Sequence, residues 1–163
     1  MSKTQDNLLG AFAGESQANR KYVAFAAVAE KEGHKGIARL FRATAEAETV
    51  HALEELKLAG KVSDTKANLS AAIKGETYEF TTMYPNFQKD AKDEGKDGAY
   101  KAFEYAKESE KVHAKLYKEA LDNLGKGEDV AYYLCPVCGY IEKGAFPANC
   151  PICKAKGSSF KKF

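Results

Sequence analysis

Two tetrads in this sequence could hold metal: Glu48-Thr49-Val50-His51 and Glu110-Lys111-Val112-His113. In each, a carboxylate and an imidazole stand three residues apart, a spacing that puts both on one side of a helix. A lone glutamate precedes each tetrad, Glu15 before the first and Glu76 before the second, and Glu79 follows Glu76 by three. One Glu from each of two helices, plus Glu-x-x-His from each of two others, is the donor set of a metal pair inside a four-helix bundle. Hard carboxylate oxygens with imidazole, and positions left open, suit two irons and oxygen chemistry. Taken singly, such residues are ordinary surface features, and His34 beside Gly33 is read that way. The order Glu, Glu-x-x-His, Glu-x-x-Glu, Glu-x-x-His is different, because each acid interrupts an apolar stripe. Four inward acids without a cation would repel one another and take up protons.

Tyr22 and Tyr84 follow candidate ligands by one or two helical turns, Tyr22 seven after Glu15 and Tyr84 five after Glu79. A ligating carboxylate oxygen is a natural partner for a buried phenol hydroxyl. Either tyrosine could equally be a plain core aromatic.

A second centre lies near the C-terminus. Cys135-Pro136-Val137-Cys138 and Cys150-Pro151-Ile152-Cys153 are two Cys-x-x-Cys knuckles, and they contain all four cysteines. Four thiolates in this spacing form a tetrahedral site for zinc or a single iron. Spacing leaves the two metals open. A neighbouring di-iron site needs one-electron delivery, which zinc cannot provide, so the context favours iron.

These residues require four helices and a small metal-held lobe. Apolar residues recur at helical spacing over roughly 5–32 (Leu8, Phe12, Tyr22, Ala26, Ala29), with Gly33 as the stop. The next stripe, roughly 35–59, runs through Ile37, Phe41, Thr44, Glu48, His51 and Leu58. So little chain joins these helices that they should be antiparallel neighbours. A third helix over roughly 68–94, capped by Asn68 or a neighbour, carries Leu69, Ile73, Glu76, Glu79, Met83 and Phe87. Pro85 should kink it. A fourth, roughly 97–124, carries Phe103, Ala106, Glu110, His113 and Tyr117. The interval from Glu48 to Glu110 equals that from His51 to His113, so the helix pairs repeat. Glu79 breaks the symmetry, since its counterpart is Ala18. Gly125 to Asp129 reads as a linker, and the tail after it is too short for a core without a metal. The expected domains are therefore 1–126, a helical bundle, and 127–163, a four-cysteine lobe.

Of the 163 residues, 44% are apolar and 29% charged, and the net charge is +2. That near balance, with no basic stripe, gives no support for nucleic-acid binding. The first residues lack a signal-peptide core, and the longest apolar run, Val23 to Ala29, is too short to span a bilayer. Clustered Cys-x-x-Cys pairs are metal usage rather than a disulfide framework, so a reducing cytoplasm is expected.

Together these residues closely resemble the rubrerythrin family over nearly the whole chain. The motifs that carry the resemblance are Gly14-Glu15-Ser16-Gln17, Glu48-Thr49-Val50-His51-Ala52, Gly75-Glu76-Thr77-Tyr78-Glu79, Met83-Tyr84-Pro85, Glu110-Lys111-Val112-His113-Ala114 and the two knuckles. The resemblance implies a mainly α fold: a ferritin-like four-helix bundle with a small C-terminal rubredoxin-like β metal domain. It implies a peroxidase that reduces hydrogen peroxide to water. Electrons would come from NAD(P)H through a reductase, often with a separate rubredoxin. Cofactors would be two irons at Glu15, Glu48, His51, Glu76, Glu79, Glu110 and His113, and one iron at Cys135, Cys138, Cys150 and Cys153, where recombinant protein can hold zinc. Glu48 and Glu110 would bridge, and Glu79 and His51 would exchange on one iron as the redox state changes. Family members form homodimers or tetramers, pairing head to tail, and some swap helices, which the 61–67 connection permits. One departure stands out. Lys154 follows the last cysteine, where a glycine able to take a left-handed turn is common.

Overall fold

A computed structural model of the chain describes residues 2–127, 129–145 and 147–163. The chain divides into two compact units, one ending at Ser63 and one beginning at Asp64.

The first unit is an antiparallel helical hairpin. Helix α1, Lys3–Lys31, starts at Ser2, whose hydroxyl accepts from the Gln5 amide, and Asp6 adds negative charge at the helix N-terminus. Helix α2, Lys35–Leu58, follows the turn at Gly33. The seam between them is built from small residues. Ala38, Ala45, Ala52 and Ala59, seven apart, are all buried, with Ala26 and Ala29 buried on α1. A seven-residue recurrence keeps one seam turned to its neighbour, and a methyl side chain lets the backbones approach closely. Asn19 pins the register. It is buried, and its Nδ2 donates to the Ala45 carbonyl (2.6 Å) and the Thr49 hydroxyl (2.8 Å). The stripe expected as core is met only in part: Phe41, Thr44 and Glu48 are half-buried, with Phe41 packed on Tyr22 and Phe25 of α1, whereas Ile37 and Leu58 are 50% and 63% exposed and the alanines beside the stripe take the closest contact.

The second unit begins with α3, Thr65–Tyr78. The carboxylate of Asp64 caps it by accepting from the Ala67 amide (2.8 Å), so the helix starts ahead of Asn68. A π-helical turn, Glu79–Met83, then leads into α4, Tyr84–Asp93. Pro85 lies in the first turn of α4, where a missing N–H costs nothing, so the expected kink is taken up by the π turn before it. Helix α5, Asp97–Asp122, packs against both α3 and α4.

The repeat extends to the aromatics. Tyr22, Phe25 and Phe41 form one ring cluster. Tyr84, Phe87 and Phe103 form another, each displaced along the chain by the interval that separates His51 from His113. The interval from Glu15 to Glu76, however, is one position shorter. The extra residue falls between Glu76 and Tyr84, the stretch that contains the π turn. One inserted residue is what a π turn absorbs without ending the helix.

The C-terminal lobe is a three-stranded antiparallel sheet, ordered β2-β1-β3, from β1, Tyr132–Leu134, β2, Ile141–Lys143, and β3, Lys161–Lys162. Its core is Cys135, Tyr140, Cys150 and Phe160, with Val112 of α5 packed on it.

Candidate metal centres

Within the first unit, donor atoms of Glu15, Glu48 and His51 lie within 4.8 Å of one another. Glu15 on α1 and Glu48 on α2 share a hydrogen bond that raises the Glu15 carboxyl above its ordinary range, with burial and the charge of Glu48 acting the same way. His51 Nδ1 sits 3.1 Å from Glu48 Oε2. The His51 side chain is 57% exposed and that of Glu48 14%. Tyr22 packs against Phe25 and Phe41 in the aromatic cluster.

Within the second unit, Glu76, Glu110 and His113 form the matching group, again within 4.8 Å. Burial, then a hydrogen bond to Glu110, pushes the Glu76 carboxyl up to about 7. Burial would also raise Glu110, but hydrogen bonds from His113 and Glu76 overcome it and hold that carboxyl low. The two carboxyls thus push each other apart, Glu76 up and Glu110 down, as closely paired acids do. Glu79 lies outside the tight triad, yet burial and the charge of Glu110 raise its carboxyl too. Tyr84 is raised by burial and then by Glu110, Glu79 and Glu76, so its hydroxyl stays protonated within reach of their field.

His113 is fixed at both nitrogens. Nδ1 is 2.6 Å from Glu110 Oε2, and Nε2 is 2.9 Å from the Gly139 carbonyl. A carbonyl can only accept, so Nε2 carries a proton and Nδ1 faces the carboxylates. Burial lowers the His113 pKa, but the bonds to Glu110 and Gly139 outweigh it and raise it on balance. A backbone carbonyl that fixes the tautomer of a metal-binding imidazole from behind is a recurrent arrangement. Nothing in the sequence pointed to this partner, which arrives from a distant loop, and the helical period put Tyr117 on the stripe of α5 without giving it a place at the site. That phenol, also raised by burial and by Glu76 and Glu110, lines a cavity of about 280 Å³ beside His113 with Leu69, Leu116, Tyr132 and Ile141. Position alone could have pointed to Tyr117, since it falls two turns after Glu110.

The four cysteines meet at one point. Cys135 and Cys153 sulfurs are 3.6 Å apart, and Cys138 and Cys150 sulfurs 3.5 Å. A tetrahedron with metal–sulfur bonds of about 2.3 Å has edges of about 3.8 Å, so the thiols are already spaced for one ion. The two knuckles are near copies. Gly139 N–H donates to the Cys135 carbonyl and Lys154 N–H to that of Cys150, both at 3.1 Å. Cys135 and Cys150 amides donate to Tyr140 and Ala155 carbonyls, both at 2.8 Å. Lys154 takes φ +65, the only positive φ outside glycine among the described residues, and Gly139 takes +84. Lysine at that position therefore adopts the left-handed turn and keeps the knuckle. Burial and the neighbouring thiol of Cys150 push the Cys138 thiol well up, whereas backbone N–H groups of Cys138 and Val137 overcome burial and lower Cys135. Crowded thiols of this kind are relieved by a cation.

Both donor sets therefore fit iron: two carboxylate–imidazole triads, and one ring of four sulfurs. No described helix is long and apolar enough to cross a membrane.

Comparison with known proteins agrees. Residues 6–121 match the family model described as rubrerythrin, and residues 133–161 match that described as the rubrerythrin rubredoxin-like domain. The chain is 39% identical to nigerythrin of Nitratidesulfovibrio vulgaris, covering 94% of this chain and 83% of that protein. It is 38% identical to rubrerythrin-1 of Clostridium acetobutylicum, covering 93% and 90%. It is 34% identical to rubrerythrin of Nitratidesulfovibrio vulgaris, covering 98% and 94%. Among solved structures, nigerythrin in its mixed-valence state matches with a TM-score of 0.61 at 38% identity, covering 100% of this chain and 88% of that one. The fully reduced, all-ferrous state matches with 0.62 at 37%, with the same coverage.

Proposed function

The chain belongs to the rubrerythrin family, and from that premise we propose that it is a non-haem di-iron peroxidase of oxidative-stress defence. It reduces hydrogen peroxide to water with electrons relayed through the four-cysteine iron. The observation that carries this reading is the hydrogen bond from His113 Nε2 to the Gly139 carbonyl (2.9 Å). It joins a carboxylate–imidazole donor set to the loop that holds Cys135 and Cys138. A storage protein has no use for such a link, and a redox enzyme does.

The irons, when bound, supply the electrons and the Lewis acidity that peroxide cleavage needs. Each peroxide takes up two electrons and two protons and leaves as two waters. Glu15, Glu48 and His51 hold metal from the first unit, and Glu76, Glu110 and His113 from the second. By the family resemblance, Glu48 and Glu110 would be the carboxylates shared between the irons when these are bound, and Glu79 would be the spare carboxylate that alternates with His51 as a ligand. Its place on a π turn supports this role, since such turns gather at functional sites. Tyr84, whose hydroxyl feels Glu110, Glu79 and Glu76, and Tyr22, its counterpart in the first repeat, would relay protons to the reaction.

The reductant is NAD(P)H, acting through a separate reductase and rubredoxin, in the cytoplasm, where the cysteines stay reduced. Leu40, Val50 and Leu53, each more than half exposed on α2, support assembly as a homodimer or tetramer.

Stopped-flow oxidation of the fully reduced protein tests the reaction. Peroxide should react faster than dioxygen, and the reverse order would assign a ferroxidase or oxidase instead.

A further inference from the structure

Ser109 is a buried hydroxyl in the middle of an otherwise charged run of α5. It is 1% exposed, among the most buried side chains of the protein, and its Oγ donates to the Cys138 carbonyl at 2.8 Å. One turn further along the same face, His113 Nε2 donates to the next carbonyl, that of Gly139, at 2.9 Å. Two side chains one helical turn apart thus grip two successive carbonyls of the first knuckle. Successive carbonyls of an extended chain point to opposite sides. Here both turn to the helix because Gly139 takes φ +84, which glycine adopts without strain. The fit is close, since a Cβ on Gly139 would lie 4.0 Å from the Ser109 Cβ. Val112, between the two grips, packs on the cysteine core.

We infer that Ser109 is a positioning residue for electron transfer: its bond to the Cys138 carbonyl seats the knuckle so that the Gly139 carbonyl meets His113. This rests on the relay reading above. One electron leaves the ferrous C-terminal iron, which becomes ferric, and reaches a ferric ion held by His113, which becomes ferrous. No bond breaks and no proton need move along the path. Ser109 itself ligates no metal, and it acts by fixing the hydrogen bond from His113 to Gly139 that links the two donor sets within this unit.

The test uses the full iron-loaded chain and Ser109→Ala, with Ser109→Thr as the conservative variant. The C-terminal iron is reduced chemically, peroxide is added, and its visible band is followed. S109A should bleach with reductant at the normal rate, because electron entry does not use Ser109. Its reoxidation by peroxide should be about fivefold slower, the scale of one lost hydrogen bond, and S109T should recover most of the rate. In the zinc-exchanged protein, histidine ¹⁵N NMR should show the His113 Nε2 proton in protected exchange in wild type and S109T, and in faster exchange in S109A. An S109A protein with unchanged reoxidation and an unchanged His113 signal overturns the inference. If wild-type C-terminal iron is not reoxidised by peroxide, the relay itself fails and the inference falls with it. An S109A protein whose C-terminal iron is lost would also count against a role confined to positioning.

Discussion

The amide of Tyr84 donates to the carbonyl of Glu79, five residues back, so the helix widens by one residue directly after the spare carboxylate. The same stretch accounts for the interval from Glu15 to Glu76 being one position shorter than that from Tyr22 to Tyr84. An insertion has left both flanking halves of the helix in place while adding a position the first repeat lacks. Replacing Glu79 with Ala should leave both irons bound, because the two triads remain whole. Turnover with peroxide should drop at least about tenfold. Metal analysis beside stopped-flow kinetics measures both, and normal turnover in that variant would remove the exchange role.

The acid pair predicts how stability varies with pH in the metal-free protein. Glu76 is raised from 4.5 to about 7, so the folded state holds a proton that the unfolded chain releases. That contribution is fully present below about 4.5 and is lost as pH rises through about 7. His113 is also raised, so its contribution is likewise lost as pH rises above its ordinary range. The melting temperature of stripped protein should therefore fall between about pH 5 and 8. Glu76→Gln should flatten the slope. Metal must displace these protons, so affinity of this triad for metal should rise across the same window. Thermal unfolding and metal titration at stepped pH read the two trends.

Lys154 holds a left-handed turn at φ +65, a conformation that costs a residue bearing a Cβ about 1 kcal/mol or more. Lys154→Gly relieves it, offset in part by the greater freedom of glycine in the unfolded chain. The exchange should stabilise the C-terminal lobe by up to about 1 kcal/mol. It should appear as slower metal loss to a chelator. A variant that releases metal faster would show that the lysine contributes more, through its Nζ bond to the Pro151 carbonyl (2.8 Å), than the strain takes away.

Gly157 tolerates no side chain. A Cβ there would lie 1.7 Å from the Pro147 carbonyl oxygen, and its amide already donates to the Ala148 carbonyl (2.8 Å). Backbone, not a flexible side chain, would have to move. Gly157→Ala should cost more than about 3 kcal/mol in the lobe, with loss of the four-cysteine metal and its colour. The carboxylate–histidine irons should stay bound. Absorbance and metal counts on one preparation distinguish the two sites.

The donor residues and the two kinds of centre could be read directly from the chain. Helical period puts Glu48 with His51 and Glu110 with His113, and paired Cys-x-x-Cys knuckles converge on a metal wherever they occur, because these relations are local. The repeat was legible too, as one interval shared by both members of each tetrad. Helix ends were legible to within a few residues, and the shift from Asn68 to Asp64 came from choosing among several competent caps in one polar stretch.

Other features needed the three-dimensional packing. The alanine seam of the hairpin was hidden because alanine carries little hydrophobic signal, although its small size is what lets the helices close. The π turn was hidden because Pro85 announces a break without saying where it will be absorbed. Above all, the sequence named His113 as a ligand, but only the fold chose which nitrogen faces the carboxylates. That choice depends on His113 meeting Gly139, and Ser109 meeting Cys138, across long separations in the chain. A helix dictates its own neighbours at three and four residues, whereas a carbonyl delivered by a distant loop is fixed by how whole elements dock.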